Sequence, residues 1–191
     1  MNELYIILKE LIGLTEIEWQ NFKTKLQQKE FKTKSLIIKE GGIAYNLYFI
    51  KSGLLRTYHL QNGKEVNTYF ACNNQIISAF SSFITQTPSF ENLEVIEDSI
   101  VYSLSYQALT ELYKASSKFE KLGRVLAEKN YLCILDRTIT MQTKTAKEKY
   151  LDFIKNYNEK IVLRVPQYQI ASFLGIAPES LSRIRKEISI S

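Results

Sequence analysis

QYQIASFLGIAPESLSRIRKE, from Gln167 to Glu187, reads as two short amphipathic helices joined by a tight turn. Ile170, Leu174, Ile176, Leu181 and Ile184 mark the two apolar faces, and Ala171 is small where the helices would cross. Gly175 accepts a left-handed backbone without steric penalty. Pro178 suits the first turn of a second helix, which is expected to run to about Ile188. With its apolar side turned to the first helix, that second helix leaves Glu179, Ser180, Ser182, Arg183, Arg185 and Lys186 pointing outward. Side chains of these types reach base edges and phosphates in a major groove. Together with Gln167, at the head of the first helix, they are the candidate DNA-binding set. The competing reading is an ordinary helical hairpin with a solvated, charged face.

Composition agrees with a polyanion partner. The chain has 191 residues, 45% of them hydrophobic, enough for one sizeable core or two small ones, and two domains are expected. The formal net charge is +5, and from Lys144 onward nine Lys or Arg stand against five acids, so most of the surplus lies beside the helical pair. Cationic groups that neutralise phosphates release counterions. Cys72 and Cys133 fit no metal-ligand spacing and read as reduced residues of a cytosolic protein. The opening MNELYIILKELIGL is interrupted by Glu3, Lys9 and Glu10, so it is read as neither a signal peptide nor a membrane span. No nucleophile and base stand at a catalytic spacing, and no Gly-rich phosphate loop appears, so an enzyme is not expected.

Upstream, Leu4, Ile7, Leu8 and Leu11 repeat at helical spacing, and Thr15 with Glu18 forms a capping box for a second helix to about Gln28. From Glu30 the rhythm changes to eight short β-type runs, FKTK, SLIIK, NLYFIKSG, LLRTYHL, EVNTYFA, NQIISAF, LEVIEDS and IVYSLS, with turns at Gly41-Gly42, Ser52-Gly53 and Asn62-Gly63. The class is α+β, with an antiparallel roll of the double-stranded β-helix or jelly-roll type. Ser105 caps a short helix, and a longer one follows over 117–141. Its run Tyr131 to Leu135 is apolar for more than a full turn and must be covered on several sides. Leu122, Leu126, Tyr131, Cys133 and Ile134 are the candidate dimerisation residues, with a monomer that buries this helix as the alternative. Ala146 to Tyr157 reads as a connecting helix, and Ile161 to Val165 as a short strand. The expected domains are 1–116, a sensor roll; 117–143, the central helix; and 144–191, the DNA-binding part.

A lead-in helix, a roll containing NLYFIKSGLLRTYHLQNGKE, a long helix and then IASFLGIAPESLSRIRKE resemble the Crp/Fnr family of bacterial transcription regulators over nearly the whole chain. The resemblance implies a homodimer bound to double-stranded DNA, with Glu179, Ser180 and Arg183 reading bases, and it leaves room for RNA polymerase and a small-molecule effector as partners. Pro178 stands where many members carry an arginine, and little chain is left for a C-terminal wing. The Gly-Glu pair and the later Arg that hold a cyclic nucleotide in other members have no counterpart between Gln75 and Phe90. Between Lys64 and Lys114 there is no Lys, Arg or His. An unpaired buried phosphate is heavily penalised, so cyclic AMP is not expected as the ligand. Tyr69, Phe70, Phe80, Ser81, Ser82, Phe83 and Phe90 could line a pocket for an uncharged molecule, or the aromatics could simply fill the core. Two cysteines are too few for an iron–sulfur cluster, and His59, placed before a hairpin, is read as a surface residue, so no cofactor or metal is expected. A second functional reading is a ligand-sensing module that acts on a protein partner, its helix pair kept only for packing.

Overall fold

The computed structural model describes residues 1–190, with side chains through Ile188. Helix α1 (Asn2–Ile12) turns Leu4, Leu8 and Ile12, spaced by one helical turn, into the core. Helix α2 (Glu16–Thr24) begins on the expected capping box of Thr15 and Glu18. It stops at Thr24 rather than near Gln28, because strand β1 (Gln27–Phe31) already pairs Gln27 with Ser103.

Strands β2 (Leu36–Ile38), β3 (Asn46–Gln61), β4 (Lys64–Cys72), β5 (Ile76–Ile77) and β6 (Asn92–Ser105) complete an entirely antiparallel sheet. Its order is β1-β6-β3-β4, with β2 also on β6 and β5 also on β3. Asn62 and Gly63, both at positive φ, make the β3–β4 hairpin. The described residues hold six strands where eight runs were expected, since two pairs of runs are fused. Ser52-Gly53 does not reverse the chain. Gly53 takes φ 126° inside β3, and the register against β6 slips there instead. A Cβ at this position would lie 1.9 Å from Ser99 Oγ and 2.7 Å from Ser99 Cα, so only glycine lets the strands approach this closely. NQIISAF is likewise not one strand, because β5 ends at Ile77 and helix α3 (Phe80–Thr85) begins three residues later.

Ser105 caps α4 (Tyr106–Ala115), accepting from Ala108 N at 3.1 Å, and α5 (Ser117–Thr143) is the long helix. Helix α6 (Ala146–Asn156) starts on a second capping box, Thr145 with Glu148. The expected strand at Ile161 is instead α7 (Glu159–Arg164), with Asn158 capping Lys160 N at 2.9 Å. Ile161 and Val165 face the same core while Leu163 between them is 68% exposed, whereas a strand would put all three on one face. Helices α8 (Gln167–Leu174) and α9 (Pro178–Ile190) form the helix-turn-helix.

Alternation along β3 divides the apolar residues between two cores. Leu55 points into the roll, joining Leu8, Ile50, Leu93, Phe119 and Leu122. Leu54 points the other way, where with Phe70 and Cys72 it meets Phe153, Ile170, Phe173 and Leu181 of the C-terminal helices. The helix-turn-helix therefore sits directly on the outer face of the roll.

A candidate nucleic-acid interface and the parts that hold it

Gly175 ends α8 at φ 63° and ψ 37°, and α9 then packs Leu181 and Ile184 beneath it, 1% and 5% exposed. Glu179, Ser182, Arg183 and Lys186 are exposed along one side of α9, at the i, i+3, i+4, i+7 spacing of a single helical face. Ser180 is half-buried on the flank. Arg185 is tied back to α6, where its Nη1 donates to the Tyr150 hydroxyl at 2.8 Å. That bond fixes one long side chain of the candidate set rather than leaving it free to reach outward. Gln167, Ser182, Arg185 and Lys186 share an open groove of about 470 Å³ with Tyr150, Ile154, Pro178 and Ile188. Outside the set, Lys147 is ion-paired to Glu187 at 3.3 Å and Lys144 to Asp152, so the basic surplus of this region is partly neutralised in place.

Polar contacts dock α8 onto β4. Ser172 Oγ donates to Glu65 O at 2.8 Å and accepts from Asn67 N at 3.1 Å. Behind them lies Arg56, 2% exposed, bonded to Asn67 at 2.9 Å and ion-paired with Glu94 at 2.5 Å and Glu65 at 2.7 Å. Phe70 and Phe173 meet with ring centroids 5.2 Å apart. Sequence reasoning missed this junction, because nothing local marks Arg56 as buried. Its partners come from two other strands.

The seven candidate pocket residues do not come together. Tyr69, Phe80 and Phe83 pack into or against the core of the roll, whereas Phe70 leaves it for the C-terminal core. Ser82 is occupied internally, accepting from Ala44 N at 3.0 Å and donating to Thr87 O at 2.5 Å. Ser81 and Phe90 are exposed. His59 is not a surface residue. It is half-buried, and its Nδ1 is buried without a hydrogen-bond partner among the described residues. Near it, Glu91 accepts from Thr68 Oγ1 at 2.5 Å, and burial pushes its carboxyl up against the opposing pull of Thr68, His59 and Arg137. The sequence window that lacks cations is thus reached by Arg137 of α5, with His59 of β3 beside it.

On α5, Leu122 is 3% exposed inside the core of its own subunit and is unavailable to a second chain. Leu126 packs against that core too, and Cys133 is half-buried, its thiol pushed up by desolvation. Tyr131 and Ile134 are 64% and 56% exposed, as expected of an uncovered face. Leu132, Leu135 and Ile139, 59%, 40% and 49% exposed, add a seam at alternating spacings of three and four, the pattern by which helices pair. No helix of the described residues is long and apolar enough to cross a membrane.

Comparison with known proteins places this geometry. Residues 28–116 match the family described as cyclic nucleotide-binding domain. The anaerobic regulatory protein of Pasteurella multocida is 23% identical over 183 residues, covering 90% of this chain and 66% of that protein. The chain thus spans just under two thirds of the length of this curated relative. Among solved structures, FixK2 from Bradyrhizobium japonicum superposes with a TM-score of 0.75 at 16% identity, over 86% of this chain and 85% of that one. A protein from Eubacterium rectale, assigned to the Crp/Fnr regulators, gives 0.71 at 19% identity over 93% and 85%.

Proposed function

We propose that this chain, which matches the cyclic nucleotide-binding domain family over residues 28–116 and shares its fold with Crp/Fnr regulators, is a homodimeric, sequence-specific DNA-binding transcription regulator of the Crp/Fnr type. One observation carries the reading. Glu179, Ser182, Arg183 and Lys186 form a polar, exposed face on α9, directly opposite the buried Leu181 and Ile184. A helix held from behind in this way can enter a major groove without exposing apolar surface.

In this reading Arg183 and Glu179 read base edges, while Ser182, Lys186 and the amino end of α8 at Gln167 meet the backbone. Two copies pair through the α5 seam and present their α9 helices about 34 Å apart, one turn of duplex. The natural setting is the cytoplasm, with RNA polymerase as the further partner of the bound complex. Cyclic AMP is not its effector. Glu91 brings a carboxyl into the roll, Ser82 is engaged by Thr87 and Ala44, and Arg56 is spent on Glu94 and Glu65 on the outer face. With these groups already partnered within the chain, a buried phosphate would find no ready donor or cation among them.

Arg183→Ala tests the assignment. It should weaken binding to the preferred duplex by about 1–3 kcal/mol and relax preference at one base position per half-site. A variant that binds preferred and random duplexes as the parent does would remove Arg183 from the reading face.

A further inference from the structure

Three elements that the proposed function requires to move as one body meet at a single guanidinium. Arg137, in the C-terminal part of α5, donates through Nη1 to Thr68 O at 2.7 Å and through Nη2 to Asn67 O at 2.9 Å, both carbonyls of β4. Nη2 also donates to Phe173 O at 3.2 Å, and the guanidinium carbon lies 4.5 Å from the centre of the Phe173 ring. Phe173 belongs to the last turn of α8, where helix carbonyls have no partner within the helix and the helix dipole is negative. No carboxylate among the described residues lies within ion-pair distance of Arg137. A largely desolvated cation is therefore satisfied by main-chain oxygens alone, two from the roll and one from the helix-turn-helix. That is a directional use of its charge. The planar fork of arginine reaches oxygens on two elements at once, which the point charge of lysine does not.

The other contacts between roll and helix-turn-helix do not fix that direction from α5. Phe70 against Phe173 is an apolar contact and tolerates sliding. Ser172 ties α8 to β4 without involving α5. Only through Arg137 do hydrogen bonds run from the side chain of α5 to both β4 and α8 among the described residues.

We propose that Arg137 is a positioning residue. It sets where the α8–α9 pair stands relative to α5, and hence the separation at which two copies present α9. This rests on the reading that α5 pairs two copies and α9 reads DNA, and the test separates the two claims.

The parent chain, Arg137→Ala and Arg137→Lys are compared in two ways. Without DNA, amide hydrogen exchange is followed across β4 and α8. Arg137→Ala should speed exchange there by about 10- to 100-fold while the interior of the roll stays protected. With DNA, binding is measured on duplexes carrying two copies of the preferred half-site, their separation changed one base pair at a time. The parent should show a steep optimum. Arg137→Ala should bind nearly evenly across the series with base preference within each half-site intact, and Arg137→Lys should recover only part of the optimum. Unchanged exchange overturns the proposal, as does faster exchange with the spacing optimum preserved. Equal loss of binding at every spacing together with lost base preference also overturns it, because that is the signature of a merely destabilised module. A parent that binds no duplex removes the DNA reading, and the exchange result then upholds or overturns the clamp on its own.

Discussion

Replacing Leu135 with Glu puts a carboxylate in the middle of the apolar seam of α5 while leaving the subunit's own cores alone. Leu135 is 40% exposed and belongs to neither core, and its neighbours Leu132 and Ile139 are 59% and 49% exposed. Fully burying such a side chain contributes about 1.5–3 kcal/mol, and roughly half of each is still exposed on a single chain. Three residues from each of two copies then supply about 5–9 kcal/mol of gross driving force before the entropic penalty of association. The substitution removes one of the three residues on each side. It also sets two carboxylates against each other across the twofold axis, or forces them to take up protons as they are desolvated. A net loss of at least about 3 kcal/mol follows, which is more than a hundredfold in the dimer dissociation constant. Sedimentation equilibrium reads that constant, and thermal unfolding followed by circular dichroism checks the subunit. The expected result is a monomer that melts cooperatively. A variant that dimerises as tightly as the parent would refute the seam, and one that no longer folds would show that this face of α5 supports its own subunit.

Gly175→Ala forces a side chain into a left-handed backbone and should destabilise the C-terminal module by about 1–2 kcal/mol, read from denaturant midpoints. The added Cβ would lie 2.4 Å from Met141 Cε, a flexible end that can move aside, so the backbone sets the magnitude and a loss below about 0.5 kcal/mol would contradict it. Arg56→Met leaves the half-buried Glu94 without its cation and should destabilise by about 1–3 kcal/mol, loosening α8 from β4, whereas a near-neutral change would mean that the carboxylates find other partners. Glu18, bonded to Lys118 at 2.7 Å and to the Thr15 cap, is held down to about 2 from its usual 4.5. A depressed carboxyl stabilises fully above its unfolded value and loses that contribution as pH falls toward the folded one. Glu18→Gln should therefore melt below the parent at pH 7, with the gap closing as pH approaches 2. A gap constant over that range would contradict the ion pair.

Elements with a local cause were legible in the sequence. The Thr15–Glu18 box, the Asn62-Gly63 hairpin, the Ser105 cap and the Gly175 turn each depend on residues a few positions apart, and each stands where local chemistry puts it. Misreadings arose where a distant partner decides. Gly53 looks like a turn residue until Ser99 is seen against it. Ile161 to Val165 alternates on paper, yet the core behind α7 takes Ile161 and Val165 and leaves Leu163, which a strand would set beside them, exposed. The candidate DNA-reading face followed from helical spacing alone, because its inner and outer sides differ in polarity. The sites of Arg56, His59, Glu91 and Arg137 did not, since charge buried by tertiary contact leaves no periodic trace. Leu122 shows the same limit from the apolar side. Its type suits an interface and a core equally, and only the packing of α5 on the roll assigns it to the core.

Selection of bound sequences from a random pool of duplexes by the purified chain tests the paired reading of DNA most directly. The expected result is enrichment of two inverted half-sites with centres one helical turn apart, lost in Leu135→Glu and relaxed at one position in Arg183→Ala. A pool that stays unenriched at low ionic strength, or that yields a single unpaired site unaffected by either substitution, would contradict it.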